Sequence, residues 1–382
     1  MAKTKKDVNL FEISKKGKQK KKKLMLIVGN TVLSIFLAIS VIASSLLGWY
    51  VFGLSNTVVG NNEVNSEDET GNFEDLYVST SADVSYILVV GEGWARDGSE
   101  KLSDVIMVAC LDHKANTLNM LQIPRDLFTG TDVTSHKINA VYACPRKGEA
   151  RINALRRRLA SHLGIPLDHY VTFTLKGFRN AVDAIGGVDM EITAPNGIKI
   201  EDQDNIGTYY TIGPGLVHLD GNAATGFVRK RKGTRDEGYV MGDLDRVKHQ
   251  RMFYAALFRK LLNTSTGQLY SMIGDCYNEI STDMDINTLL GYALEIKDIN
   301  INEIGVHNVP GQYVNYRPEG YSMKLSFYSL QKKRYVDIFN EYMNPYGEPL
   351  TLEDVRNREL HKELGIADEN DWNDTTANLG DY

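Results

Sequence analysis

Three cysteines in 382 residues, Cys110, Cys144 and Cys276, cannot staple a fold of this size, and their odd number leaves at least one thiol unbridged. None has the close spacing of a structural zinc site. They read as small buried apolar side chains, with one bridge, for instance Cys144 to Cys276, as the alternative. No internal repeat is visible. Positive charge is also short overall, with a net charge of -6, so a nucleic-acid partner is not expected. The scarcest feature is local: residues 24–54, LMLIVGNTVLSIFLAISVIASSLLGWYVFGL, contain no charged residue at all.

That gap in charge sits behind ten lysines in residues 1–23, which with Asp7 and Glu12 give +8 and leave -14 for the rest. About 20 helical residues cross a ~30 Å hydrocarbon core, and Trp49 and Tyr50 suit the far interface. A cleavable signal has an apolar region of only ~7–15 residues. The expectation is therefore an uncleaved single-pass anchor. The lysine-rich tail 1–23 stays cytoplasmic, and the remainder is extracellular. Residues 55–82 are polar and acidic and read as a spacer.

The folded domain is expected over 83–345. YILVVG (86–91), DVIMVACLD (104–112) and TLNMLQIP (117–124) are apolar runs, the last two split by HKAN as an antiparallel hairpin. EARINALRRRLASHLG carries Ile152, Leu155, Leu159 and Leu163 at helical spacing and stops at Gly164. DHYVTFTL (168–175) and VDMEIT are strands around the helix KGFRNAVDAIGG. Asp220 N-caps GNAATGFVRKR, and Asp243 or Asp245 opens a long helix with one apolar face of Val247, Tyr254, Leu257, Phe258, Leu261 and Leu262. Further helices are expected near 286–297 and 328–343, with strands near 303–308 and 312–316. The sum is a mixed α/β sheet with helices on both faces, followed by an acidic tail, 346–382.

Within this acidic domain, FVRKRKGTRDEGYVMGDLDRVKHQRMF (227–253) gathers Arg229, Lys230, Arg231, Lys232 and Arg235 within seven positions, then Arg246, Lys248 and Arg251. IPRD places Arg125 and Asp126 at a strand's end, and the hairpin brings Asp104 to the same rim. KINA adds Lys137 and Asn139. Arg229 and Arg231 face one cleft only if their helix ends near Arg229, while Arg246 and Gln250 share a face at i, i+4. Arginine forks recognise phosphate oxygens, and Mg²⁺ takes one or two carboxylates plus phosphate oxygens. The constellation therefore fits a pyrophosphate; the plain alternative is a solvated charged face. Likewise, the apolar residues of 178–185 and 252–262 read as core or as the lining of a lipid pocket.

In order, ILVVG, LSDVIMV, MLQIPRD, KINAVYA, LGIPLDHYVTFTLKGFRNAVDAIGGVDMEI, GLVHLDGNAATGFVRKR and GDLDRVKHQ resemble the LytR-CpsA-Psr family over about residues 86–262. The resemblance implies a membrane-anchored phosphotransferase with a polyprenyl pocket. Such an enzyme moves a glycopolymer from polyprenyl pyrophosphate onto peptidoglycan, typically the muramic acid C6 hydroxyl, in Gram-positive walls. It implies Mg²⁺ at Asp104 and pyrophosphate held by Arg125, Lys137, Arg229, Arg231, Arg246 and Gln250. Asp104 or Asp126 takes the acceptor's proton. Asp104, Arg125, Asp126, Arg231 and Arg246 form the expected catalytic set.

The chain departs from the pattern in places. Gly93 stands where an aspartate is usual, with Glu92 and Asp97 as substitutes, and Leu102 stands for an arginine. Lys232 replaces a common histidine, His249 a frequent arginine and Asp245 a glycine. Three other readings stay open: a polyprenyl-lipid binder without transfer, a pyrophosphatase that releases polyprenyl phosphate to water, and a purely structural wall-associated domain without lipid affinity.

Overall fold

A computed structural model describes residues 81–94, 101–130, 132–133, 135–238, 243–276, 280–368 and 376–382. Thirteen strands are described: β1 (Val84–Trp94), β2 (Lys101–Asp112), β3 (Thr117–Gln122), β4 (His169–Phe173), β5 (Val188–Ile192), β6 (Ile198–Glu201), β7 (Tyr209–Ile212), β8 (Gly215–Leu219), β9 (Ile280–Thr282), β10 (Ile304–Asn308), β11 (Gly311–Tyr316), β12 (Leu325–Leu330) and β13 (Thr376–Asn378). The α-helices are α1 (Ile138–Val141), α2 (Arg151–Leu163), α3 (Leu175–Ala184), α4 (Gly221–Arg229), α5 (Asp243–Leu262), α6 (Thr266–Cys276), α7 (Ile286–Asp298), α8 (Lys332–Ile338) and α9 (Leu360–Glu363).

Seven strands form the central sheet in the order β13-β10-β3-β2-β1-β4-β9. The β1–β2–β3 meander is antiparallel, while β4 joins β1 and β10 joins β3 in parallel. The sheet is mixed, as the irregular alternation of elements predicts. Asn116, at φ 55° in the left-handed region, closes the turn between β2 and β3. Alternate residues of the strands feed two cores. Leu88, Val90, Ile106 and Val108 meet Leu155 and Leu159 of α2 on one side. Met107, Leu111, Leu118 and Met120 meet Ala255 and Phe258 of α5 and Leu289 of α7 on the other.

Local signals act where expected. Gly164, at φ 67°, ends α2. The Asp220 carboxylate accepts from the Ala223 N–H at 2.8 Å and starts α4. Helix α5 differs from its predicted single stripe. Ala255, Phe258 and Leu262 face the sheet, while Phe253, Ala256 and Leu257 enter a third core with Val182, Val188 and Phe227. The helix is buried on two sides, which the unbroken apolar run MFYAALF at 252–258 makes possible and a one-faced pattern does not.

Two sequence expectations are corrected. Residues 328–330, expected in a helix, finish β12, and helix begins only at Lys332. The stretch read as a tail beyond residue 345 belongs to the domain. Leu350 and Val355 enter the first core, Leu360 packs with Phe128, Val314 and Phe327, and β13 pairs antiparallel with β10. These apolar residues dock singly, so they leave no period in the sequence. Cys110 and Cys144 are both thiols. Among the described residues no helix is long and apolar enough to cross a membrane. The candidate anchor at 24–54, the tail 1–23 and most of the spacer lie outside them.

Leu360→Ala should lower the unfolding free energy by about 2–5 kcal/mol in a denaturant titration; a wild-type midpoint would detach this segment from the core. His307, on β10 and stacked on Tyr342, is driven by burial, with the charge of Arg251 adding, from 6.5 down to about 4. Its folded form resists protonation, so its contribution to stability is complete above pH 6.5 and lost as the pH falls toward 4. A His307→Gln chain should show a shallower stability loss across that window by thermal unfolding.

Candidate functional site

The site grows from the strand-to-loop exit of β3. Pro124 ends the strand, and the Leu127 N–H closes a turn on the Pro124 carbonyl at 2.9 Å, so Arg125 and Asp126 project from a fixed loop. That loop is clamped from outside by β12. The Tyr328 N–H donates to the Asp126 carbonyl at 2.9 Å, and the Phe128 N–H donates to the Tyr328 carbonyl at 2.8 Å.

Arg125 Nη1 donates to Asp104 Oδ1 at 2.7 Å, so the hairpin rim holds both as the register predicts. Lys137 Nζ donates to Asp126 Oδ1 at 2.7 Å, and Arg231 Nη2 lies 4.0 Å from Asp126 Oδ2. The Asp126 side chain is only 12% exposed, whereas Asp104 keeps 39% of its surface in solvent. A buried carboxylate facing two cations is compensated in place; Asp104 is the more open of the two acids.

Helix α4 ends at Arg229, with Lys230 already extended, so the chain reverses there as a shared cleft requires. Arg229 nonetheless turns away from Asp126: its Nη1 donates to Gln203 Oε1 at 2.5 Å. It lines a groove of about 760 Å³ with Lys199, Tyr209, Arg231 and Lys232. Glu237 anchors the basic loop from behind. Burial works against its charge, yet the N–H groups of Lys199 and Thr234 and the Lys230 ammonium hold its pKa down to about 2. Arg231 borders both this groove and Asp126, and so joins the two.

Arg246 sits half-buried on α5, where it opposes the effect of burial, which raises the Tyr254 hydroxyl to about 12. Gln250 has a structural task that its spacing does not reveal. Its Oε1 accepts from Gln122 Nε2 at 2.9 Å, and its Nε2 donates to the Val228 carbonyl at 3.0 Å. One amide thus ties the end of β3 to the end of α4. Sequence reasoning missed Gln122, since a glutamine closing an apolar strand carries no pattern of its own.

Of the departures, Gly93 has a physical reason. A Cβ there would collide with the Asp104 carboxylate, which folds over the glycine. Glu92 is engaged elsewhere, accepting from Lys101 Nζ at 2.9 Å and from the Tyr142 hydroxyl at 2.6 Å. Asp97 lies outside the described residues. The candidate lipid-lining residues Phe178 and Phe253 pack against each other at 5.8 Å within the third core. Gln250→Leu, which strips partners from a buried amide and a carbonyl, should cost about 1–3 kcal/mol in chemical unfolding. Unchanged stability would remove the tie from the architecture.

These arrangements meet known proteins in both sequence and fold. A family model, that of the LytR_cpsA_psr family, matches residues 50–344. The polyisoprenyl-teichoic acid–peptidoglycan teichoic acid transferase TagV of Bacillus subtilis is 26% identical over 269 residues, 69% of this chain and 66% of its own length. This chain thus spans slightly less than two thirds of that relative. The crystal structure of B. subtilis TagV overlays with a TM-score of 0.54 at 24% identity, covering 75% of this chain and 99% of that one. TagT bound to LIIa-WTA overlays at 0.52 and 21%, covering 69% and 91%. With the match running over residues 50–344, from before the first strand to beyond α8, the chain belongs to the LytR_cpsA_psr family.

Proposed function

We propose that this chain is a membrane-anchored phosphotransferase that moves a wall glycopolymer from a polyprenyl-pyrophosphate carrier to a hydroxyl of peptidoglycan. The observation that carries it is one rim on which Arg125, Lys137 and Arg231 converge beside Asp104 and Asp126. The name of TagV, a teichoic acid transferase acting between polyisoprenyl-linked polymer and peptidoglycan, supports the same class. The uncharged span 24–54 would hold the domain at the outer membrane surface, where a polyprenyl carrier resides.

The acceptor oxygen attacks the phosphorus that bears the glycan. The bond to the bridging oxygen breaks, and polyprenyl phosphate leaves with the electron pair. Arg125, Lys137 and Arg231 neutralise the charge that gathers on that leaving phosphate; Arg246 on α5 adds a further cation, and Gln250 supports the rim from behind through Gln122 and Val228. Arg229, turned into the groove with Tyr209, is placed for the part of the polymer beyond the pyrophosphate. The partly exposed Asp104 is the carboxylate open to the acceptor's proton, while both oxygens of Asp126 face cations.

Asp104 also suits Mg²⁺, because one carboxylate beside substrate phosphate oxygens is an ordinary donor set for that ion. When bound there, the ion would act as a Lewis acid on the phosphate oxygens. With Gly93 beside it, this chain offers one acid where its family pattern has two. That feature favours, as a second reading, a relative that binds the polyprenyl lipid without transferring the glycan.

The full chain in detergent, given a short glycan on polyprenyl pyrophosphate, peptidoglycan fragments and Mg²⁺, should form glycan-bearing peptidoglycan by mass spectrometry. Arg231→Ala should slow this by about 10²–10³-fold, and chelation of Mg²⁺ should stop it. Lipid bound but left intact would establish the second reading, and release of polyprenyl phosphate without an acceptor would establish a pyrophosphatase.

A further inference from the structure

The C-terminal segment that lies beyond the family match carries chemistry of its own. Among the described residues, Glu359, His361 and Asp368 form a cluster of metal-ligating side chains whose ligand atoms all lie within 4.8 Å of one another. Five hydrogen bonds fix its geometry. His361 is fully buried, and its Nδ1 lies 2.7 Å from Ser329 Oγ of β12. The same hydroxyl oxygen accepts the His361 N–H at 3.0 Å, so β12 sets both the backbone and the ring. The other ring nitrogen, Nε2, stands 2.7 Å from Asp368 Oδ1. Glu359 is held by the Lys332 N–H at 3.0 Å, and the chain before Asp368 is held by Gln312, whose Nε2 donates to the Ala367 carbonyl at 2.9 Å.

Serine, histidine and aspartate in a row invite comparison with a nucleophilic triad, but Ser329 is wholly buried and no substrate reaches its oxygen. The open side of the cluster is the other one, where Asp368 is half exposed. A cation already stands there: Lys362 Nζ lies 2.9 Å from Glu359 Oε1 and 3.8 Å from Asp368 Oδ2. Lys362 is itself 48% exposed and free to swing into water.

We propose that Glu359, His361 and Asp368 form a divalent-cation site, taken by zinc, which fastens the C-terminal segment to β12. One imidazole and two carboxylates, with water completing a tetrahedron, is a zinc donor set. Ligands about 2.0–2.2 Å from the ion stand roughly 3.3 Å apart, within the spread this cluster already has. Ser329 Oγ stands where it can accept from an Nδ1–H, the partner that a ligating histidine needs on its second nitrogen, in the tautomer that leaves Nε2 for the ion. The ion displaces the Lys362 ammonium. The site is independent of the transferase reading, yet it sits on the strand whose Tyr328 N–H holds the Asp126 carbonyl.

The test uses untagged full-length chain in detergent, with excess Mg²⁺ present, titrated with ZnCl₂ in a calorimeter. One zinc per chain is expected. Asp368→Asn should weaken it by about tenfold or more, since loss of even a partner to a ligand costs 10–100-fold. Lys362→Met should tighten it by removing the competing ammonium. Hydrogen exchange over residues 359–368 should slow when zinc is added. Absence of saturable binding, or binding unchanged in Asp368→Asn, overturns the site; binding that leaves exchange over 359–368 unchanged overturns the fastening.

Discussion

Charge compensation between two aspartates and three cations is the constraint on which this structure rests. Arg125, Lys137 and Arg231 approach one another around a loop of four residues, and without counter-charge their mutual repulsion in a partly desolvated cleft would push it open. Asp104 takes Arg125, and Asp126 stands between Lys137 and Arg231. The pairs differ in kind. The exposed Asp104 pair exchanges readily with solvent and with any arriving anion, whereas the nearly buried Asp126 pair is part of the frame. The diphosphate of the proposed carrier would meet cations already oriented and give up little for their ordering.

The frame exists because distant segments meet at the end of β3. Gln250 reaches it from α5, Val228 from α4, and Tyr328 from β12. Helix α5 is central to this, since burial on two sides gives it no freedom to roll, and so its polar first half is aimed by its apolar second half. The basic segment that precedes it is tied down separately by Glu237.

What the sequence disclosed follows from which interactions leave a period. The meander was legible because alternating burial writes itself into YILVVG and DVIMVACLD, and the turn at HKAN set the register that joins Asp104 to Arg125. The end of α4 at Arg229 was open to two readings, since RKRK continues a helix as readily as it leaves one. That Arg229 would turn to Gln203 was not legible, because Gln203 lies on an irregular loop fixed by Asn222 rather than by pattern. The end of β12, residues 328–330, reads as helix because the apolar spacing of Tyr335, Ile338 and Phe339 extends backwards through YSL. The terminal segment was hidden most completely: its buried residues are isolated among acids, and β13 is held in the sheet by backbone pairing, which any residue supplies.

The packing at Gly93 bears on how such a site changes over generations. The Asp104 carboxylate occupies the volume that any side chain at 93 would need. An aspartate arriving at 93 would have to turn the Asp104 carboxylate, the partly exposed end of a short flexible side chain, into another rotamer. The two positions are coupled through space, because a side chain gained at 93 sets the rotamer of Asp104 and with it the pairing to Arg125. A further acid at 93 would thus change which way Asp104 points as well as how much negative charge the rim carries.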